Sequence, residues 1–268
     1  MAALVTGGGS GIGLGVAQRL AADGASVTIC GRTVARLEAA VATLGGPGVH
    51  AWIAADVTDE AQVVAAVAKA CEATGSLDIA VACAGGSLAM GPIIATPVEQ
   101  FRGTVDLNVT GTFLTIKHAA PLMAKAGGGA IVAISSIAAP LTHRYLSAYC
   151  VGKAGIDMLV RTAADELGVA NIRVNAVRPG LVDTEMVAGI TATDVVANDY
   201  LDQMPIRRIG TTDDIASAVR YLVGPESTWV TGQLLGVDGG HALRRGPDYT
   251  AFAQPLYGDE VLRGILPA

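Results

Sequence analysis

The sequence predicts an α/β fold, in which helices cover both faces of one doubly wound parallel sheet of about seven strands. Short apolar runs alternate with longer amphipathic stretches, and no linker, composition break or fixed-period repeat interrupts the 268 residues. Strands covered on both faces consist of continuous apolar runs, and their alternation with helices is typical of βαβ units. We therefore expect a single domain over residues 1–268, since α/β folds of about 200–250 residues often form one unit.

Each element follows from its local pattern. Seven segments that are mainly β-branched or apolar are predicted strands: Ala3–Thr6, Ser26–Cys30, Val49–Ala54, Leu77–Ala82, Ala130–Ser135, Ile172–Val177 and Leu234–Val237. Apolar residues at three- and four-residue spacing predict helices over Ile12–Ala22, Val34–Leu44, Glu60–Thr74, Val98–Ala126, Ser147–Gly168 and Thr212–Val223. Right-handed crossovers then distribute these helices over both faces of the sheet.

Two segments fall outside this alternation. Ligands of open parallel sheets bind beyond the carboxyl ends of the strands, and residues 181–208 leave such an end after the sixth strand. We therefore expect this segment to be a substrate lid. The tail, residues 241–268, contains three prolines and has no clear period, and its role is left open.

Composition excludes several classes of protein. The chain has 18 basic and 24 acidic residues, a net charge of −6, which argues against a nucleic-acid partner. No charge-free apolar run reaches the ~18 residues of a membrane span, and no signal peptide precedes the first strand, so we expect a cytoplasmic protein. The cysteines have neither C-x-x-C spacing nor a histidine at metal-ligand spacing, which favours packed thiols and no metal site; they are Cys30, Cys71, Cys83 and Cys150.

A glycine-rich segment, Thr6-Gly7-Gly8-Gly9-Ser10-Gly11-Ile12-Gly13, joins the first strand to the first helix. Glycines allow the backbone to turn tightly and to approach a pyrophosphate, while the helix N-terminus supplies N–H groups and a positive dipole. The strand before and the helix after the segment favour a dinucleotide site over a simple tight turn. Its expected binding residues are Gly7, Ser10, Gly11, Ile12 and Gly13.

A tyrosine and a lysine form the second motif. Tyr149 and Lys153 are four residues apart on a predicted helix, so their side chains share one face. A phenol with a pKa of about 10 is a poor acid–base group at neutral pH, and an adjacent ammonium ion lowers that pKa. Ser136 follows the fifth strand, where its hydroxyl can bond the substrate oxygen that the phenol contacts. Ser135 faces the opposite way and is expected to be structural.

Together these motifs resemble the short-chain dehydrogenase/reductase superfamily in its single-domain, Rossmann-type form, and the match extends from residue 4 to about residue 240. Asp56-Val57 matches the family's adenine-binding position, and Ala84-Gly85 the turn after the fourth strand. Asn108 matches the asparagine of the catalytic tetrad. The segment that anchors the nicotinamide carboxamide corresponds to Pro179, Gly180, Val182 and Thr184.

The resemblance implies an NAD(P)-dependent oxidoreductase that transfers a hydride between the cofactor and a carbonyl or secondary alcohol. Tyr149 would be the acid–base group. Lys153 would hold the nicotinamide ribose and lower the pKa of Tyr149, Ser136 would orient the substrate oxygen, and Asn108 would position a water. The alternatives are a cofactor-binding regulator without turnover and an enoyl reductase or epimerase on the same scaffold. A free hydrophobic ketone, a steroid-like compound and an acyl-CoA all remain open as substrates.

One position departs from the family. Cys83 stands where the family usually has an asparagine that braces the centre of the sheet. A thiol is a weaker hydrogen-bonding group than an amide. We expect the turn to survive because Gly85 is present, and Cys83 to be a packing residue without a redox role.

The end of the second strand bears on cofactor choice. NAD enzymes place an acidic residue there to hold the ribose 2′-hydroxyl, but this chain has Gly31-Arg32-Thr33. Arg32 is placed to pair with a 2′-phosphate, which favours NADP(H) over NAD(H). Stacking of Arg32 on adenine, which would serve either cofactor, is the alternative.

Two further expectations concern surfaces. The helices Val98–Ala126 and Ser147–Gly168 carry more apolar residues than one sheet face should bury, and the family pairs such helices between subunits, so we expect a homotetramer with the tail packed on a neighbour. His143 and Arg144 lie between Ser136 and Tyr149. We expect them on an exposed polar loop in preference to a substrate contact.

Overall fold

The computed structural model describes residues 1–266 and contains one seven-stranded sheet. The strands are β1 (Ala2–Thr6), β2 (Ser26–Gly31), β3 (Ala51–Ala54), β4 (Ile79–Ala82), β5 (Gly129–Ile134), β6 (Ile172–Pro179) and β7 (Leu234–Val237). Their order is β3-β2-β1-β4-β5-β6-β7, and every neighbouring pair is parallel. The predicted fold class is therefore confirmed. The strand order reverses between β1 and β4, and this reversal opens a crevice at their carboxyl ends.

Ten α-helices are present in the described part of the chain. They are α1 (Gly11–Ala22), α2 (Val34–Val41), α3 (Glu60–Cys71), α4 (Val98–Val105), α5 (Gly111–Lys125), α6 (Ser147–Leu167), α7 (Ala188–Thr191), α8 (Asp194–Gln203), α9 (Thr212–Val223) and α10 (Thr250–Leu262). Helices α4 and α5 are joined through a π-helical turn over Asp106–Thr110, so the long helix predicted over Val98–Ala126 is continuous but irregular at its centre.

Each face of the sheet has its own apolar core. Buried side chains of α3, α5 and α6, such as Val67, Met123 and Ile156, pack on one face. Those of α1, α2 and α9, such as Val16 and Ile215, pack on the other. Because both faces are covered, the central strands consist of buried apolar residues throughout.

One strand boundary differs from its prediction for an identifiable reason. Strand β3 begins at Ala51, after the predicted Val49, because side chains replace ladder bonds there: the Val49 N–H donates to Ser26 Oγ, and His50 Nδ1 accepts from the Val27 N–H. Helix α9 has its predicted bounds, and it begins where a capping box forms, in which Thr211 and Asp214 each bond the other's backbone N–H.

The segment 181–208 and the tail contact each other within one chain. The first contains α7 and α8, and the second contains α10, although its sequence has no clear period. Residues 245–252 of the tail lie against α8 of their own chain, and packing of the tail on a neighbouring subunit stays a prediction. The final two residues of the tail, 267 and 268, lie outside the described residues.

Within residues 1–266, no helix is both long and apolar enough to span a bilayer.

Candidate active site

The glycine-rich segment forms a close-packed turn between β1 and α1. Gly7 has a φ of +67° and Gly11 a φ of +52°, a region that side-chain-bearing residues rarely adopt. A Cβ on Gly13 would lie 2.2 Å from the Gly7 carbonyl oxygen, so the helix starts directly against the turn. The first N–H groups of α1 therefore face the crevice with no side chain in front of them. A pyrophosphate fits this cradle, because it needs bare backbone donors at a helix N-terminus.

One cleft collects all the predicted cofactor-binding residues. It runs along the carboxyl ends of the strands and also reaches Ser136. The predicted residues that line it are Gly7, Ser10, Gly11, Ile12, Gly13, Arg32, Asp56, Val57, Ala84, Gly85, Tyr149, Lys153, Pro179, Gly180, Val182 and Thr184. Residues more than 170 positions apart in the chain thus share one surface, as the sheet topology requires.

Thr6 braces the turn after β4, where the family's asparagine is missing. Its buried hydroxyl accepts the N–H groups of Cys83 and Ala84 at 3.0 and 3.1 Å. The Cys83 thiol faces a dry environment, and burial raises its pKa to about 11. Such a thiol is protonated at neutral pH and is a poor nucleophile, which agrees with a packing role. The bracing function thus lies on β1, in a residue that sequence reasoning did not assign to it.

The Tyr149–Lys153 pair lies on the first turns of α6, as predicted. Lys153 is buried, its Nζ donates to the Ile134 carbonyl oxygen at 2.7 Å, and it lies 5.5 Å from the centre of the Tyr149 ring. Ser135 is structural, since its hydroxyl donates to the Lys153 carbonyl oxygen. The phenol, the ammonium group and the Ser136 hydroxyl therefore meet at the end of β5.

The expected lowering of the pKa of Tyr149 does not occur in this structure. Burial raises its pKa, and the neighbouring Ser136 hydroxyl offsets this effect only in part. Burial also lowers the pKa of Lys153 to about 8, while the nearby Asp157 carboxylate acts in the opposite direction. Desolvation disfavours both charged forms, and here it outweighs the attraction between ammonium and phenolate.

Asn108 lies in the π-helical turn and braces the loop after β4. Its Nδ2 donates to the carbonyl oxygens of Gly86 and Thr104, both at 2.7 Å, and its Oδ1 accepts the Gly86 N–H. A Cβ on Gly85 would lie 2.8 Å from Asn108 Oδ1 and 3.2 Å from Lys153 Nζ. The asparagine side chain is thus fully used in holding the loop against the lysine. The π turn is a local irregularity of the kind often found at functional sites.

A buried ion pair lies one turn below Lys153. Asp157 accepts from Arg178 Nε at 2.9 Å, and its other carboxylate oxygen is buried without a partner among the described residues. The pair joins α6 to β6 directly before Pro179. Sequence reasoning missed it, although the i, i+4, i+8 spacing of Tyr149, Lys153 and Asp157 on one helix face was a usable signal.

Two arginines face the other end of the cleft. Arg32 lies close enough to Asp56 to lower the pKa of that carboxyl, although the larger cause is the hydrogen bond from the Thr58 N–H. Arg36, which sequence reasoning also missed, lines the cleft and forms a 3.0 Å ion pair with Glu185 across it. Its signal was the position in the first turn of α2, directly after the strand end that carries Arg32.

His143 is not on an exposed polar loop. Its side chain is only 5% exposed, and it packs beside Tyr200 and Tyr249. Burial lowers the pKa of His143 to about 4, so the ring is neutral at pH 7. The expectation was wrong for His143, which the tail covers, and is confirmed for Arg144, whose side chain is exposed. Among residues 1–266, no group of three His, Cys, Asp or Glu side chains is arranged to hold a metal ion.

Comparison with known proteins agrees with this geometry. The family model described as enoyl-(acyl carrier protein) reductase matches residues 7–242. A cis-4-hydroxycyclohexanecarboxylate dehydrogenase of Sinomonas cyclohexanicum is 40% identical over 89% of this chain and 95% of its own. A solved short-chain type dehydrogenase/reductase of Mycobacterium ulcerans has a TM-score of 0.96 and 46% identity, and the match covers 98% of both chains.

A further solved structure holds ligands. It is a 7α-hydroxysteroid dehydrogenase complexed with NADH and 7-oxo glycochenodeoxycholic acid, with a TM-score of 0.84, 36% identity and coverage of 89% of this chain and 92% of that one. Together, the matched family model, these relatives and the cleft show that the chain belongs to the short-chain dehydrogenase/reductase superfamily, whose members act as oxidoreductases.

Proposed function

We propose that this protein interconverts a secondary alcohol and a ketone on an alicyclic ring, with NADP(H) as its preferred cofactor. The main support for this reaction is that Ser136, Tyr149 and Lys153 lie together at the end of β5. They line the same cleft as the glycine turn. We propose an alicyclic substrate because two similar proteins are named for a hydroxycyclohexanecarboxylate and a hydroxysteroid.

The side chains divide the chemistry between them. When bound, the nicotinamide accepts or supplies the hydride. During ketone reduction the Tyr149 phenol donates its proton to the carbonyl oxygen, and in the reverse direction it takes the proton back. The Ser136 hydroxyl orients that oxygen and stabilises its developing charge. Lys153 holds the cofactor's ribose beside the phenol. Asn108 keeps the loop after β4 in contact with Lys153.

Replacement of the phenol tests this assignment. Tyr149→Phe removes only a hydroxyl, and general acid–base groups contribute about 10²–10⁴ in rate, so we expect kcat for cyclohexanone reduction to fall by at least 10². Cofactor affinity, measured by the quenching of protein fluorescence, serves as the control for an intact fold. Near-wild-type turnover in a folded variant would overturn the assignment, and cofactor binding without turnover of any ketone by the wild type would favour the regulator.

The preference for NADP(H) is supported by the two guanidinium groups at one end of the cleft. The end of β2 offers Gly31 in place of an acidic residue, and both Arg32 and Arg36 line the space beside it. Two guanidinium groups favour a phosphate ester over a ribose hydroxyl. We expect the ratio of kcat/KM with NADPH to that with NADH to exceed 1 in the wild type. It should fall by at least about tenfold in Arg32→Ala, since charge-assisted bonds contribute about 1.5–3 kcal/mol.

An unchanged ratio in Arg32→Ala would refute the role of this residue. The variant Arg36→Ala separates the two arginines. A fall of the ratio in this variant as well would show that both bind the phosphate, whereas an unchanged ratio would leave Arg36 with its ion pair to Glu185 alone.

Reduction of an enoyl thioester is the second candidate, because the matched family model carries that description. A crotonyl thioester in the same assay distinguishes the two, since the proposed ketone reductase leaves its double bond intact.

We further propose a homotetramer located in the cytoplasm. Phe113 on α5 and Val151 and Met158 on α6 are 45%, 50% and 60% exposed, so these two helices present a shared apolar surface. Burial of such a surface between subunits would remove it from water. Light scattering that gives a mass near 27.0 kDa at micromolar concentration would contradict the assembly.

A further inference from the structure

The tail packs beside the cleft that Tyr149 lines. Beyond the end of the family-model match at residue 242, the chain runs back across α8 and across the loop that carries His143. Three segments border the cleft on this side: the loop after β4, the loop after β5 and the segment 181–208. The tail contacts all three.

Specific bonds hold the tail in place. Asp199 of α8 forms an ion pair with Arg245 and accepts the Asp248 N–H at 2.8 Å. On the loop after β4, the Met90 carbonyl oxygen accepts the Tyr257 hydroxyl at 2.8 Å. The backbone fits equally closely, because a Cβ on Gly246 would lie 1.9 Å from the Thr142 carbonyl oxygen. The tail is therefore docked at several points and is not a loosely placed terminus.

A pair of buried tyrosines lies under the tail. Tyr249 of the tail and Tyr200 of α8 are 4% and 5% exposed, and their hydroxyl oxygens are 2.8 Å apart. Only one of the two O–H groups can donate within the pair. The other has no acceptor among the described residues. A buried donor without an acceptor is costly, so this pair is suited to a ligand oxygen.

Three further polar groups near this pair are also unused. His143 Nδ1 bonds the Leu141 carbonyl oxygen and must carry the proton, which leaves Nε2 as an acceptor with no partner in residues 1–266. His241, whose ring is 5.5 Å from that of Tyr200, has a buried and unpartnered Nδ1 within the same range. The Tyr145 hydroxyl is likewise buried and unpartnered, and its backbone is held at a φ of +71°, a strained conformation of the kind found at ligand clamps. Five side chains with spare hydrogen-bonding capacity thus belong to one cluster.

This cluster adjoins the reacting groups. Cys150, the residue after Tyr149, accepts the His143 N–H at 3.4 Å. Val187 both packs on the cluster and lines the cleft that holds Ser136 and Tyr149. Burial is the main cause of the raised pKa of both Tyr249 and Tyr200. The Tyr149 phenol is close enough to raise each of them further.

We propose that Tyr249, together with Tyr200 and His143, binds a second oxygen of the substrate, so that the tail supplies a specificity-determining residue. This inference deepens the proposed function and rests on it. The oxygen belongs to an uncharged hydroxyl or carbonyl group. The nearby arginines, Arg144 and Arg245, are already paired with Asp248 and Asp199 at the surface, so neither is left to neutralise a charged substrate group. The preferred substrate is therefore an alicyclic ketone with a hydroxyl or a second carbonyl across the ring.

Matched probes test this assignment. The wild type is compared on 4-hydroxycyclohexanone and cyclohexanone, which differ only in the second oxygen. We expect kcat/KM to favour the hydroxyketone by roughly tenfold, the worth of one or two buried hydrogen bonds. In Tyr249→Phe this preference should fall several-fold, and in the double variant Tyr200→Phe/Tyr249→Phe it should vanish.

Tyr257→Phe is the matched control. It removes a tail tyrosine hydroxyl that bonds Met90 outside the cluster, so it weakens tail docking without changing the polar groups. Its preference should equal that of the wild type. If it loses the preference as fully as the double variant does, the tail acts through closure alone and Tyr249 has no recognition role.

Binding separates this inference from the proposed reaction. The affinities of the protein loaded with NADPH for cyclohexane-1,4-diol and cyclohexanol are measured by calorimetry, since alcohols do not react with the reduced cofactor. Tighter binding of the diol that depends on Tyr200 and Tyr249, in a protein that reduces neither ketone, would overturn the proposed reaction alone. Equal affinities in the wild type, or a preference that persists in the double variant, would overturn the inference.

Discussion

The burial of His143 predicts that acid destabilises the fold by an amount that can be measured. An ordinary histidine has a pKa of about 6.5, and burial lowers that of His143 to about 4. Between these values the unfolded chain binds a proton at this residue and the folded chain does not. The free energy of unfolding therefore falls as the pH drops from about 6.5 to about 4.

The size of this effect follows from the shift. Each pKa unit corresponds to about 1.4 kcal/mol, so the full loss is about 3 kcal/mol, and at pH 5.0 about 2 kcal/mol is already lost. His143→Gln keeps a donor for the Leu141 carbonyl oxygen but does not titrate in this range. We expect the variant to lose about 2 kcal/mol less than the wild type between pH 7.5 and pH 5.0.

Urea unfolding followed by tryptophan fluorescence, at both pH values and one protein concentration, measures this difference. A fixed concentration is needed because assembly would add to the apparent stability. Carboxylates with a lowered pKa, such as Asp214, also destabilise the fold in acid, but they are present in both proteins and cancel. Equal pH dependence in the two proteins would refute the burial of His143 beneath the tail.

Two further substitutions test the bracing of the site. Thr6→Val leaves the N–H groups of Cys83 and Ala84 without their acceptor and should cost about 2 kcal/mol of unfolding free energy. Thr6→Ser is the control, because it keeps the hydroxyl. Equal stability of the valine and serine variants would contradict the bracing role of Thr6. Asp157→Asn keeps an acceptor oxygen but removes the negative charge that pairs with the half-buried Arg178, and it should cost about 3 kcal/mol, measured by urea unfolding. A variant as stable as the wild type would show that the pair adds nothing to the fold.

The parts of the fold that were predictable depend on local pattern. Parallel strands that are covered on both faces are mainly apolar, so β1, β2 and β5 are visible as runs of such residues, and β6 is visible although Arg173, Asn175 and Arg178 interrupt its run. The glycine turn is visible because the backbone of Gly7 requires a conformation that other residues avoid. Sheet topology then brings the ends of these strands together, which is why one cleft collects the predicted residues.

The effect of the Tyr149–Lys153 pair on acidity was not predictable from its spacing. The spacing shows that the two groups are neighbours and so predicts attraction between ammonium and phenolate. It does not show how dry the site is. In the structure Lys153 is buried and bonded to a backbone carbonyl oxygen, and desolvation decides the direction for both groups.

The tail escaped prediction because its stability comes from docking. Helix α10 contains Pro255 and is interrupted at Gly258, whose φ of +75° is not helical, so no helical period is visible in the sequence. Its order depends instead on distant partners: Arg144 bonds Asp248 across 104 residues, and Tyr257 bonds Met90 across 167. No local pattern records such contacts. The same contacts bury His143 and Tyr249, so the residues that we propose to select the substrate become recognisable only once the chain is folded.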